Sequence, residues 1–173
     1  MMADELRARF RALALPLLAP MYRLALALTG SRPRAEDLVQ ETYLRALKYF
    51  PSYQGEDFKA WMTAIMRNLH RTQLSAAIPV DHDNEERLAA LPDPSPNPEQ
   101  AMLSADRSQH LRRLIAALPE SLREVLVMRE FADLSYAQIA TILAVPAGTV
   151  MSRLARARES LRKAWVRHDG SVT

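Results

Sequence analysis

Thr149, Ser152, Arg153, Ala155, Arg156 and Arg158 follow one another at the spacing of a single helix face with its flanks. Small and hydroxyl side chains let a helix approach base edges closely, and arginine pairs with guanine or with phosphate. Those residue types suit duplex DNA, although a solvated basic face on an ordinary bundle helix would show the same pattern. Covalent chemistry has much less to work with. His70, His82, His110 and His168 have no metal-ligand spacing, and neither a nucleophile motif nor a phosphate-cradling glycine loop occurs. The chain has no cysteine, which excludes disulfides and thiolate metal sites. The expectation is a binding protein, not an enzyme, with no metal and no cofactor.

Two short elements must position the DNA-type face. Ser135 with Gln138 three residues on forms a capping box that starts a helix running to about Leu143. Pro146 stops it, and a second helix begins near Ala147. On that second helix Val150, Leu154, Ala157, Leu161 and Trp165 share the inward face. Gly148 joins the outward residues. The result reads as a helix-turn-helix whose second helix is shaped for a major groove.

The 173-residue chain is rich in Leu, Ala, Arg and Met and has only 4 glycines, so helices are favoured over sheet. Charge divides it into three. Residues 1–75 carry a net +4, residues 76–105 a net −5 and residues 106–173 again +4, making up the overall +3. The acidic stretch holds Pro79, Pro92, Pro94, Pro96 and Pro98, so it reads as a flexible acidic, proline-rich linker, passive or active. The expected fold is all-α: two small helical bundles, over 1–75 and 99–173, joined by a linker over 76–98. Asp4 and Glu5 stand where a signal peptide needs basic residues, and Leu13–Leu28, interrupted by Pro16, Pro20 and Arg23, falls short of a membrane span. No membrane insertion and a cytoplasmic location are expected.

In the first bundle Gly30 ends one helix, and Ser31 with Pro33 opens the next, over about 34–50. Its buried stripe is Ala35, Leu38, Val39, Thr42, Ala46, Tyr49 and Phe50. Asp37, Gln40, Glu41, Leu44, Arg45 and Lys48 face outward, with Leu47 at the edge. Leu44 there is either an ordinary exposed apolar residue or the centre of a partner patch. A loop over 51–57 with Tyr53 at its tip leads into a helix from about Phe58 to Leu74. Phe58, Trp61, Met62, Ile65 and Leu69 are expected inward, and Lys59, Arg67, His70 and Arg71 outward. A basic face beside an aromatic tip suits unpaired DNA strands, and a merely solvated helix looks alike.

Together and in this order, these segments resemble the extracytoplasmic-function sigma factors, the smallest class of bacterial RNA polymerase specificity subunits. AEDLVQETYLRAL at 35–47 is similar to the region-two helix that grips polymerase, and FPSYQGEDFKAWMTAIMRN at 50–68 to the promoter-melting loop and helix. LPESLREVLVMREFADLSYAQIATILAVPAGTVMSRLARAR at 118–158 resembles region four. The resemblance implies that Asp37, Gln40, Glu41 and Leu44 meet the beta-prime clamp of core RNA polymerase, with the beta flap a further contact. It implies that Ser52, Tyr53, Gln54, Gly55 and Asp57 hold an extruded −10 base, with Lys59, Arg67 and Asn68 beside that strand. Thr149, Ser152, Arg153, Ala155, Arg156 and Arg158 would read or anchor the −35 element of promoter DNA. The linker would thread the polymerase cleft, and an anti-sigma factor is the implied regulator. The chain's length suits this class, without the additional regions of housekeeping sigma factors.

Three positions depart from the family pattern. Met151 follows the GTV triplet where Lys or Arg is usual, and Thr72 and Ser75 stand where an Asp and an Arg are usual. Extended, residues 76–98 reach at most ~75 Å, enough for sites two DNA turns or ~70 Å apart. A stand-alone dimeric helix-turn-helix repressor, reading a palindrome without polymerase, is the alternative, and a helical interaction protein with solvated basic faces is another.

Overall fold

In a computed structural model of the chain, residues 2–76 and 98–169 are described, with their side chains over 4–76 and 105–167. The expected linker lies almost wholly outside the described residues. Eight α-helices make up the described chain: α1 Met2–Ala14, α2 Leu18–Thr29, α3 Arg32–Tyr49, α4 Phe58–Ala76, α5 Pro98–Ala116, α6 Glu120–Glu130, α7 Tyr136–Leu143 and α8 Ala147–Asp169. Single 3-10 turns at Leu15–Leu17 and Phe50–Ser52 join α1 to α2 and extend α3. There is no strand among the described residues, as the all-α expectation requires.

The first bundle closes because α2, α3 and α4 each offer one apolar stripe to the others. Met21, Leu24 and Ala25 of α2, Ala35 and Leu38 of α3, and Met62 and Met66 of α4 are fully buried. Each large side chain of this kind stabilises the fold by about 1.5–3 kcal/mol. Thr42 and Thr63, buried among them, donate their hydroxyls to Leu38 O at 2.6 Å and Lys59 O at 2.9 Å, which satisfies them inside the helix. Gly30 ends α2 at φ 64°, its amide donating to Leu26 O at 2.9 Å. Ser31 is the N-cap of α3 by position only. Its amide turns back to Thr29 Oγ1 at 3.4 Å, and Arg34 donates to Thr29 O at 2.6 Å. Tyr43 reaches α1 by donating to Ala14 O at 2.9 Å, and burial pushes its phenol up to about 12.

Two expectations fail here. Tyr49 is exposed rather than in the α3 stripe, with the Lys48 ammonium 5.6 Å from its ring. The chain turns into the 3-10 segment at Phe50, so Phe50 takes the buried place and Tyr49 swings out. The apolar N-terminal run is also longer than expected. Asp4–Thr29 holds an 18-residue window with mean hydropathy 1.5, by length and composition enough to cross a membrane. Length and composition alone decide little, since Met21, Leu24, Ala25 and Leu28 of that run are consumed by the bundle. Leu13, Leu15 and Leu18 stay exposed.

The second bundle packs α8 against α5, α6 and α7 around Val125, Leu126, Met128, Leu134, Ile139, Val150, Leu154 and Ala157. Its first helix, α5, matches no helix expected from the sequence. The turn between α7 and α8 holds Ala144 in the left-handed region, at φ 53° and ψ 46°. An L-residue there costs about 1–2 kcal/mol that glycine avoids. Ala144→Gly is therefore expected to stabilise the module by about 0.5–1 kcal/mol and raise its melting temperature by a few degrees. A thermal unfolding scan checks this; a lowered midpoint would mean that the turn carries no strain.

Candidate nucleic-acid interface

The helix-turn-helix forms from local signals. Ser135 Oγ accepts from Gln138 N at 3.2 Å, and Gln138 Oε1 accepts from Ser135 N at 2.7 Å, completing the expected capping box. Val145 N returns to Ala140 O at 3.1 Å, and Pro146 O then accepts from Thr149 N at 3.0 Å to open α8. The axes of α7 and α8 differ by 102°, within the range of such motifs. Val150, Leu154 and Ala157 are buried and Leu161 and Trp165 half-buried, so the inward face is as expected.

The outward face is presented in one piece. Ser152, Ala155, Arg156 and Arg158 are exposed, with Thr149 and Arg153 half-buried at the margins. Ser152 Oγ donates to Thr149 O at 3.0 Å, leaving its lone pairs outward. Arg158 is tied to Glu130 at 2.8 Å across to α6, an exposed pair that anchors the helix sideways. Arg153 and Arg156 meet no acidic side chain among the described residues. Met151 is 55% exposed on the same side, so a bulky apolar group stands where the pattern favours a cation.

The loop and helix of the first bundle are arranged differently from the expectation. Tyr53 is no free tip: its ring stacks on Phe50 at 6.0 Å and abuts Phe58 at 5.4 Å and Trp61 at 4.8 Å. Phe10 closes this cluster against Phe50 at 5.2 Å. Three neighbouring rings offer Tyr53 more apolar contact than water does. A Cβ at Gly55 would stand 2.9 Å from the Tyr53 ring, so a larger residue there would have to displace that ring. Ser52, Gln54 and Gly55 are exposed around it, and Ser52 Oγ donates to Tyr49 O at 2.8 Å. Asp57 serves the helix itself, its Oδ1 accepting from Ala60 N at 2.9 Å as the N-cap of α4.

On α4, Asn68 and Arg71 are exposed and Lys59 is half-buried. Arg67 and His70, expected outward, are covered. The Arg67 guanidinium donates to both oxygens of Glu124 on α6, at 2.8 and 3.4 Å, with side-chain exposures of 12% and 6%. His70 is 3% exposed, its Nε2 3.5 Å from Glu120. That imidazole, with Arg123 and Arg71 adding their charge, holds the Glu120 carboxyl below its ordinary value against the opposing effect of burial. Further contacts join the bundles. Arg123 donates to Leu28 O at 3.1 Å, capping α2, and Gln138 Nε2 donates to Asp57 Oδ2. A helical wheel turns α4's basic face outward, toward solvent or DNA, because it cannot show that α6 lies there. Glu124, half of the charge pair, is one acid on an apolar helix and carries no signal of its own in the sequence.

On α3 the outward patch is as expected. Asp37, Gln40 and Arg45 are exposed, Glu41 is half-buried, and Leu44 is 65% exposed at the centre, with Leu47 beside it. Glu41 and Arg45 pair at 2.9 Å. No group of three or more His, Cys, Asp or Glu side chains fit for a metal occurs among the described residues.

Comparison with known proteins gives a consistent picture. The family profile for Sigma-70 region 2 matches residues 13–77, and that for Sigma-70, region 4 matches residues 108–161. The ECF RNA polymerase sigma factor SigE of Mycolicibacterium smegmatis is 34% identical over 159 residues, 88% of this chain and 60% of that protein. The ECF RNA polymerase sigma-E factor of Escherichia coli K12 is 37% identical over 135 residues, covering 72% of this chain and 70% of the other. Among solved structures, the sigma factor RpoE of Bartonella quintana, in complex with the anti-sigma factor NepR, superposes with a TM-score of 0.73 at 25% identity, over 90% of this chain and 95% of that one. CnrH, in complex with the cytosolic domain of CnrY, shares the fold with a TM-score of 0.69 at 20% identity, over 96% of each chain.

Proposed function

The chain belongs to the extracytoplasmic-function sigma factors of the sigma-70 family, and on that footing we propose that it binds core RNA polymerase and directs it to promoters. One observation carries the reading. A helix-turn-helix with an uncluttered outward face and a strand-type loop-and-helix occur on one chain in region order, each under its own family profile. In this reading α8 enters the −35 major groove with Thr149, Ser152, Arg153, Ala155, Arg156 and Arg158. The loop over 52–57 takes a base from the opened −10 element, with Lys59, Arg67 and Asn68 along that strand. Asp37, Gln40, Glu41 and Leu44 meet the polymerase clamp, and the second bundle meets the flap. The protein supplies no bond chemistry of its own. Captured bases contribute ~1–3 kcal/mol each, comparable to the cost of unstacking a few steps, so they tilt duplex DNA toward opening while polymerase holds it. Because the Bartonella relative was crystallised with an anti-sigma factor, control by such a protein is part of the proposal.

The test is reconstitution. Core polymerase with this chain is expected to start RNA at discrete genomic positions sharing upstream elements, read by sequencing transcript 5′ ends; no gain over core alone would end the reading. Arg156→Ala is expected to weaken use of those promoters by about 1–3 kcal/mol of binding while polymerase affinity stays unchanged. Parallel loss of both, measured by polymerase pull-down and runoff transcription, would remove Arg156 from the DNA face.

A further inference from the structure

We infer that Met151 reads sequence, seating its thioether against the C5-methyl group of a thymine in the −35 element. The inference rests on the sigma reading above, which puts the first turns of α8 in a major groove. Met151 is 55% exposed, and it is the one large apolar side chain left exposed in the first half of that helix. It adds little to the fold, since Val150, Leu154 and Ala157 already complete the inner face.

Steps of three and four residues sort the outward side of α8 into two strips. Thr149, Ser152 and Arg156 form one, with Arg153 at its margin. This strip is polar: Arg156 stands exposed, and Ser152, whose hydroxyl donates to Thr149 O at 3.0 Å, keeps its lone pairs for an amino group. Gly148, Met151 and Ala155 form the other strip, and it offers no polar side chain at all. A Cβ at Gly148 would meet nothing within 4 Å, so the flank beside Met151 is open. Ala155 is exposed and adds a single methyl group. Arg158, the next position along, is engaged with Glu130 at 2.8 Å, so the nearest cation on this strip is already partnered.

The chemistry of the groove then selects the ligand. Base-pair edges in a major groove show donors, acceptors and a single apolar group, the thymine methyl. Methionine carries no charge and neither a donor nor a strong acceptor, so it competes for none of the polar positions. Its unbranched, polarisable side chain moulds itself to a small apolar partner. Gly148 and Ala155, one on each side of it along the strip, let the helix come close enough for that contact. The −35 element of this protein therefore carries a thymine under the Met151 strip, and a guanine or phosphate partner under the Arg156 strip.

The test uses the full chain assembled with core polymerase, on a promoter whose start site reconstitution has located. Each −35 thymine is replaced in turn by uracil, which keeps the base pair and its hydrogen-bonding groups and loses only the methyl. With the wild type, one such replacement is expected to lower promoter occupancy about fourfold, the worth of one buried methyl group. Met151→Leu should keep that dependence. Met151→Ala should abolish it at that position and leave the rest of the sequence preference as it was. Met151→Lys should also abolish it, and should steepen the salt dependence of binding by about one counterion. Thymines all indifferent to their methyl groups, or a methyl effect that Met151→Ala leaves intact, would overturn the inference and leave Met151 against a sugar or in solvent. If the unmodified promoter starts no RNA above core alone, the sigma reading has failed and this inference falls with it, so the two failures are told apart.

Discussion

Leu44→Asp should reduce binding to core polymerase on the order of 10²–10³-fold, the largest effect of any single surface change in this protein. Leu44 is 65% exposed at the centre of the α3 patch, flanked by Asp37, Gln40, Glu41 and Leu47. An apolar centre inside a polar rim is where binding energy concentrates. Covering the leucine contributes about 1.5–3 kcal/mol, and an aspartate there would lose that and desolvate an unpaired charge. Together these amount to roughly 3–4 kcal/mol, which gives the stated factor. Because Leu44 is itself largely exposed, the variant should fold with a nearly unchanged melting point. Pull-down against core enzyme, with circular dichroism as control, measures both. Normal assembly would show that the clamp reads another face.

Leu154→Ala is expected to be nearly as damaging by a different route. Leu154 is 1% exposed on the inner face of α8, among Val125, Met128 and Ile139 in the second-bundle core. Its truncation costs about 2–5 kcal/mol, the upper end applying where the site cannot collapse around the void. A module of this size has roughly 3–10 kcal/mol in hand, so much of the second bundle should unfold near physiological temperature. The core around Met21, Leu24, Leu38 and Met62 is continuous with it in one cluster of buried residues, so the loss should be felt by the whole fold. Thermal unfolding should therefore begin at a clearly lower temperature, with loss of −35-dependent transcription. An unshifted transition would contradict the packing described for α8.

The helix-turn-helix was legible because its determinants are neighbours in sequence. Ser135 and Gln138 cap each other across one turn, Pro146 can only stand outside or at the start of a helix, and Val150, Leu154 and Ala157 keep the 3.6-residue period. Gly30 and the α3 patch were legible for the same reason. What the sequence could not show is what each polar face meets. Arg67 and His70 have the pattern of a solvated or DNA-facing surface, yet their partners Glu124 and Glu120 lie in the other bundle. Tyr53 in a polar loop looks like a stacking platform for bases, but the rings of Phe50, Phe58 and Trp61 are within its reach. Helix α5 follows directly on an acidic, proline-rich stretch that signals loop, and its apolar residues declare no clean stripe. In each case a long-range neighbour outweighed the local pattern.

The 23 residues of α8 form one helix about 35 Å long, and the residues proposed to meet DNA lie in its first half. Its far end lies beside α5, where His110 and Trp165 approach to 5.3 Å, and α5 also rests against α2 of the other bundle. Such a rod is a lever with α5 near its fulcrum. Under the proposed function, any shift of α5 against α2 would be carried along it to the tip that meets promoter DNA, so the angle of approach would be set at the opposite end of the helix.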